Sequence, residues 1–294
     1  MTLPFLPSDA AMLLLQAGVV AAPRAVTRPR MLDRFRSRWW ALVPVGSIVA
    51  VIFAIRYASG TATGLTYLAL VAVPPLAAAA LAWAARGPRR WPRARPGAAI
   101  AATGLLFALA ALERDALVGQ GAAALLSALS CVTLGVLLAT VTPSAWLKVG
   151  IVAMAAADAW LVVSDLLQAP NATLVSAAPA AGLPRLQSET FGSVSMGYGD
   201  MFVAGLLGAV MAGNRATQRT AALLTLLFAS AMDVLFLVID ELPATVPVAA
   251  ALIVIEAGRV YRRRRARPSQ PAPARLEGER AIPKAGVQPL RGGP

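Results

Sequence analysis

Two aspartates in apolar surroundings are the residues of this sequence that could do chemistry together. Asp200 ends the motif Gly197-Tyr198-Gly199-Asp200 at the start of an apolar segment, and Asp158 lies near the middle of the preceding one. A carboxylate in hydrocarbon is costly, so such residues usually face a cavity and carry function. Two carboxyl groups that share one proton could hydrolyse a peptide bond. The ionised group takes a proton from water while the protonated group polarises the scissile carbonyl.

The residue types that are missing or scarce exclude other hydrolytic chemistries. The sequence has no histidine, which removes Ser-His-Asp and Cys-His catalysis and every His-ligated zinc site. Cys131 is the single cysteine and cannot form an intramolecular disulfide. Lys148 and Lys284 are the only lysines, which leaves little support for a Ser/Lys pair. We therefore expect carboxylate chemistry without a metal or an organic cofactor.

The composition indicates a membrane protein with several spanning segments. Of the 294 residues, 58% are hydrophobic and only 14% are charged, whereas soluble domains are about half apolar and a quarter charged. The formal net charge of +13 does not indicate nucleic-acid binding, because the basic residues are concentrated beside the apolar segments. Such clusters are typical of membrane topology signals. The expected surroundings are the lipid bilayer, and no nucleic-acid partner is expected.

The elements that must position the two aspartates are apolar segments of about 20 residues, the length that crosses the hydrocarbon core as a helix. Eight of them run roughly over 39–58, 63–85, 97–113, 116–141, 146–168, 191–213, 219–240 and 243–261. A ninth, 9–22, is shorter and fits a spanning helix, an interfacial helix or the core of a signal peptide. The predicted fold class is all-α, a polytopic membrane protein with eight or nine transmembrane helices.

Arginine clusters predict how these helices are oriented. When eight crossings are counted from residue 39, every cluster falls on the same side of the membrane. The clusters are Arg24 to Arg38, Arg86 to Arg95, Arg215 with Arg219, and Arg262 to Arg265. Because basic loops stay in the cytoplasm, the C-terminus is expected inside and the loop 169–190 outside. The Ala- and Arg-rich, Lys-poor composition is typical of GC-rich bacterial genomes, so the expected location is a bacterial plasma membrane.

Helix geometry predicts that the two aspartates lie at the same depth. Asp158 precedes the outer end of its segment by ten residues, or about 15 Å. If the next segment starts near Phe191, Asp200 lies about 14 Å below the same surface. The carboxyl groups could then meet as a catalytic pair, or as a polar pair that packs two helices. Gly197 and Gly199 leave bare backbone beside Asp200, where a substrate strand or a helix could approach.

The last apolar segment opens with Leu242-Pro243-Ala244-Thr245, followed by Pro247. Proline is compatible with the first turn of a helix. The two prolines fit an ordinary helix start. They fit equally well a broken first turn whose free carbonyls face a substrate backbone. Both interpretations stay open on the sequence alone.

Three further acids lie in apolar segments. Asp165 shares a helical face with Asp158 but lies near the outer end of the segment. Asp233 is in the middle of its segment, without an obvious basic partner. Glu256 lies one turn from Arg259 and fits a paired or snorkelling residue. The roles of Asp165 and Asp233 stay open.

Three motifs, in this order, resemble those of the presenilin and signal peptide peptidase family of aspartyl intramembrane proteases. They are Ala157-Asp158-Ala159-Trp160, then Met196-Gly197-Tyr198-Gly199-Asp200 with the family's G-x-G-D pattern, then Leu242-Pro243-Ala244-Thr245 in place of its Pro-Ala-Leu. The resemblance covers about 146–250. The chain departs from the family in having Ala157 where tyrosine is usual and Thr245 where leucine is usual.

The resemblance implies both a mechanism and a substrate class. Asp158 and Asp200 would be the catalytic pair, on the sixth and seventh of nine helices if 9–22 is the first. Gly197, Tyr198, Gly199, Pro243, Ala244 and Thr245 would shape the site, the glycines and the Pro-Ala pair holding substrate as an extended strand. The predicted orientation resembles that of signal peptide peptidase. It implies transmembrane or signal-peptide substrates of type II, whose N-terminus is cytoplasmic.

The predicted organisation has four parts. Residues 1–38 hold the possible first transmembrane helix and a basic cytoplasmic loop, and 39–141 form a four-helix N-terminal membrane half. Residues 142–262 form the half with both aspartates, and 263–294 a disordered basic cytoplasmic tail. The oligomeric state is not predicted.

Two other functions fit parts of the sequence. The embedded acids, including Asp233, could form a proton or cation path in a membrane transporter, or the chain could be a scaffold that cleaves nothing. Prepilin-type peptidases share a G-x-G-D motif, but their customary Lys-Leu after the aspartate is replaced here by Met201-Phe202.

Overall fold

The computed structural model describes residues 7–24, 36–43, 60–85, 96–164, 182–237 and 242–265, together with 46, 50, 173, 176–177 and 179–180. These residues form eight α-helices and one β-hairpin. The helices are α1 Pro7–Ala21, α2 Thr61–Ala85, α3 Pro96–Leu112, α4 Leu117–Val141, α5 Ser144–Val163, α6 Tyr198–Met211, α7 Arg215–Asp233 and α8 Val246–Arg265. The strands are β1 Ser188–Phe191 and β2 Val194–Gly197. Short 3-10 turns cover Arg38–Ala41 and Val234–Leu237.

Several described helices have the length and polarity of membrane helices. Thr61–Ala84, Leu117–Val141 and Ser144–Val163 could each cross a membrane, and α1, α3 and α6 are shorter apolar helices. Large apolar side chains lie on the surface, among them Val163 at 84% exposure and Leu112 at 81%. Such extensive exposed apolar surface is unusual for a soluble monomer. These features fit a membrane protein.

Helix α4 lies at the centre of the bundle and contacts α2, α3 and α6. Small residues let α4 and α6 approach closely. A Cβ atom at Gly135 would lie 2.5 Å from the carbonyl carbon of Gly205, and one at Gly205 would lie 2.5 Å from the carbonyl oxygen of Cys131. Without a hydrophobic driving force in lipid, such close backbone packing is a main source of helix association.

Two polar side chains attach the end of α1 to α7. The Gln218 amide, which is buried, donates to the carbonyls of Val20 and Pro23 at 2.9 Å and to that of Gly208 at 3.2 Å. Arg215 donates to the Pro23 carbonyl at 3.1 Å. These bonds satisfy carbonyls that the end of a helix leaves without partners. The predicted segment 9–22 is therefore a helix packed into the bundle, with Val20 fully buried.

The prediction of a helix starting near Phe191 is wrong. Residues 188–197 form an antiparallel hairpin in which Glu189 pairs with Met196 and Phe191 with Val194. Gly192 has a φ of +62° at the two-residue turn, a conformation that glycine adopts readily and that tight hairpins require. Thr190, Phe191 and Val194 are of the β-branched and aromatic types that are common in strands. The described chain is therefore not purely helical.

Contacts divide the chain into two compact units, Met1–Glu256 and Ala257–Pro294. In the second, the Arg262 guanidinium donates to the Gly258 carbonyl at 3.3 Å, and that of Arg265 lies 4.8 Å from the centre of the Tyr261 ring. Helix α8 thus includes the first residues of the predicted tail.

Several predictions concern residues outside the described part of the chain. These are most of segment 39–58, the basic loops 25–35 and 86–95, Asp165, much of the loop 169–190, and the tail 266–294.

Candidate functional site

Asp200 is the third residue of α6, and its carboxylate folds back over the start of that helix. The backbone N–H of Gly197 donates to Asp200 Oδ2 at 3.1 Å, the return bond that an acid at this position commonly makes. A Cβ atom at Gly197 would lie 3.1 Å from the same oxygen, so glycine gives the carboxylate room. The prediction that Asp200 lies nine residues inside a helix is wrong. The residues before Tyr198 form the hairpin, so Asp200 lies in the first turn.

Asp158 lies on α5, five residues before the helix ends. The hydroxyl of Thr245 donates to Asp158 Oδ2 at 2.6 Å, and the Thr245 backbone N–H acts on the same carboxyl group. Thr245 is 3% exposed and immediately precedes α8. The residue that departs from the Pro-Ala-Leu pattern therefore contacts the first aspartate directly.

The two aspartates are close enough to interact electrostatically, since the charge of Asp158 acts on Asp200. Both are partly accessible, so water could reach them. Asp200 lies in the first turn of α6, and Asp158 contacts the residue before α8. The N-terminal end of a helix favours negative charge. The arrangement could therefore hold one ionised and one protonated carboxyl group against a shared water molecule.

The other predicted site residues have different surroundings. Tyr198 is directed toward α4, where its hydroxyl lies 2.6 Å from that of Ser130. Gly199 is exposed, and nothing lies within 4 Å of where its Cβ would be. Pro243 is partly buried, and the Ala244 carbonyl accepts a hydrogen bond at 3.0 Å. Tyr198 thus anchors the helix that carries Asp200, whereas no close neighbour requires glycine at 199.

Two polar residues near the site are absent from the sequence prediction. Gln16 on α1 is 1% exposed and donates the bond to the Ala244 carbonyl. Glu189 on β1 is fully buried and lies within electrostatic range of Asp200. A glutamine inside a short apolar segment is a weak signal that could have been noted. Glu189 gives no such signal, because its burial depends on the hairpin.

The remaining embedded acids that the structure describes lie apart from the pair. Asp233 is buried at the end of α7, and its electrostatic neighbour is Asp9 on α1. Glu256 forms an ion pair with Lys148 at 3.0 Å, which agrees with the expectation of a paired residue. Among the described residues, no group of three or more Cys, Asp or Glu side chains could hold a metal ion.

No protein-family model, curated protein or solved structure matches this chain.

Proposed function

We propose that this protein is an intramembrane aspartyl protease of the presenilin and signal peptide peptidase type. In this proposal the chain spans the membrane eight or nine times and hydrolyses peptide bonds with Asp158 and Asp200. The observation that carries the proposal is the meeting of three separate segments. Asp158 from α5 bonds Thr245 before α8 and interacts with Asp200 at the start of α6.

In the proposed reaction one carboxylate removes a proton from water, and the resulting hydroxide attacks the carbonyl carbon of the scissile bond. The protonated carboxyl group donates to the carbonyl oxygen, and a tetrahedral intermediate forms. A proton then passes to the leaving nitrogen as the C–N bond breaks, giving a carboxyl and an amino terminus. Two carboxyl groups at close range cannot both ionise easily, so the pair supplies both roles.

The substrate would have to reach this site as an extended strand, because a helix engages its own carbonyls in hydrogen bonds. The backbone at Gly197 and Gly199 is exposed beside Asp200, and the two-stranded hairpin offers edges on which an extended chain could pair. With the C-terminus in the cytoplasm of a bacterial cell, the orientation of the site favours type II transmembrane substrates. These are expected to come from the surrounding bilayer.

Cleavage of a type II model transmembrane peptide by the purified full-length protein in liposomes tests the proposal. Asp158→Asn and Asp200→Asn are each expected to lower the cleavage rate by at least about 100-fold, the smallest usual contribution of an acid or base. Asp115→Asn, which changes an exposed acid with a side chain 92% accessible, should keep the wild-type rate.

Activity that survives either Asp158→Asn or Asp200→Asn would remove that residue from catalysis. If the wild type cleaves none of several peptides, proteolysis is refuted. Proton uptake into the same liposomes that depends on Asp233 would then favour the transport alternative.

A further inference from the structure

Glu189 is a buried carboxyl group for which the proposed reaction has no use. It lies on β1 with 0% exposure, and neither of its carboxyl oxygens has a hydrogen-bond partner among the described residues. Its partner across the hairpin is Met196 on β2, which is also buried and directly precedes Gly197. The position of Glu189 is therefore linked through one strand pair to the N–H that holds Asp200.

The surroundings of Glu189 favour its neutral form. Among the described residues, the titratable groups that interact with it are Cys131 on α4 and Tyr198 and Asp200 on α6. Helix α1 also contacts β1, but its Asp9 interacts with Asp233. None of these groups is a cation. An ionised carboxylate buried without a partner costs far more than a neutral one, so such groups stay protonated.

The hairpin Ser188–Gly197 precedes helix α6 and is not part of any helix. The acid strength of Glu189 agrees with a neutral side chain. Burial raises the pKa of Glu189 well above its usual range. The residue's own backbone N–H lowers the pKa slightly without forming a regular hydrogen bond. The charge of Asp200 raises it further.

We propose that Glu189 is a positioning residue for Asp200, a carboxylic acid whose neutral form keeps the β1–β2 hairpin packed on α4 and so holds the Gly197 N–H against Asp200. Its effect on cleavage rests on the proposed protease function, whereas its effect on the hairpin does not. When Glu189 loses its proton, the hairpin opens to hydrate the charge, and Asp200 loses the bond that orients it.

Proton linkage gives the sign and size of the effect. In the open hairpin Glu189 is solvated and has a pKa of about 4.3, whereas in the packed hairpin its pKa is raised. Between these two values the packed state holds one more proton than the open state. Raising the pH therefore favours opening by about tenfold per pH unit within that window, and the slope ends above the packed-state pKa.

Hydrogen–deuterium exchange of the full-length protein in liposomes measures this opening. We expect the protection factors of residues 188–197 to fall by about tenfold per unit over part of the range from about pH 5 to pH 9. Glu189→Gln keeps the shape of the side chain but cannot ionise, so its protection should not vary with pH. Glu113→Gln, at an exposed acid, should behave as wild type. Asp200→Asn should keep the pH dependence of the protection factors if Glu189 is the titrating group.

The outcomes separate this inference from the proposed function. Wild-type protection that does not change with pH, or a slope that persists in Glu189→Gln, would overturn the inference even if peptide is cleaved. A slope abolished by Glu189→Gln supports it even if no peptide is cleaved. Where cleavage is found, Glu189→Gln should extend activity to higher pH, and an unchanged alkaline limit would count against the positioning role.

Discussion

Thr245→Val tests whether the contact between Thr245 and Asp158 contributes to the reaction. Valine has nearly the shape of threonine but lacks the hydroxyl that donates to Asp158 Oδ2 at 2.6 Å. Because Thr245 is only 3% exposed, water has little room to replace the lost donor. The substitution should therefore leave the carboxyl group of Asp158 with one partner fewer.

The direction and size of the expected rate change depend on which aspartate starts the reaction ionised. A hydrogen bond to a charged group contributes about 1.5–3 kcal/mol and one to a neutral group about 0.5–1.5 kcal/mol. Because Asp158 gains or loses a proton during catalysis, the bond differs in strength between the ground state and the transition state. The difference between the two strengths is about 1–1.5 kcal/mol. Losing the bond should therefore lower the rate by roughly 5- to 13-fold if Asp158 starts protonated and becomes ionised, and raise it by a similar factor if Asp158 starts ionised and accepts a proton.

The assay is single-turnover cleavage of the type II model peptide in liposomes, with thermal unfolding measured on the same preparations. Thr245→Ser keeps a hydroxyl donor and should cleave at close to the wild-type rate. Thr103→Val removes a hydroxyl that is also buried but that, in the described part of the chain, donates to the Ala99 carbonyl within α3 at 2.9 Å. It should leave the rate unchanged.

The reasoning is refuted if Thr245→Val neither lowers nor raises the cleavage rate while remaining folded. It also fails if Thr245→Ser is as impaired as Thr245→Val, because a hydroxyl donor would then not be the property that matters. A fall in rate matched by Thr103→Val would point to a general effect on the bundle.

The remaining predictions concern packing. Gly205→Ala places a Cβ 2.5 Å from a backbone oxygen of α4 and should lower the free energy of unfolding by about 1–3 kcal/mol. Gly104→Ala has nothing within 4 Å and should raise it by up to about 1 kcal/mol; equal melting temperatures for the two variants would contradict the close contact. Gln16→Leu leaves the Ala244 carbonyl without its donor and should destabilise the protein by about 1–3 kcal/mol. It should also speed amide exchange at 242–246, and unchanged exchange there would show that Gln16 does not hold this segment.

The helices were largely predictable from the sequence because length and hydropathy depend only on local composition. The apolar runs 97–113 and 116–141 correspond to α3 and α4, and 9–22 corresponds to α1. The prediction of one helix over 191–213 was wrong at its start, since hydropathy alone does not distinguish a strand from a helix in a short stretch. The turn glycine, Gly192, was the local signal that could have corrected it.

The sequence by itself indicated a membrane protein and the residues that could do chemistry. It provides the aspartates Asp158 and Asp200 in apolar segments, no histidine, and a proline motif 43 residues after Asp200. Only the tertiary structure decided what these residues contact. The bonds from Thr245 to Asp158 and from Gln16 to Ala244 join residues 87 and 228 positions apart. Such contacts depend on how helices pack, and no local pattern encodes them.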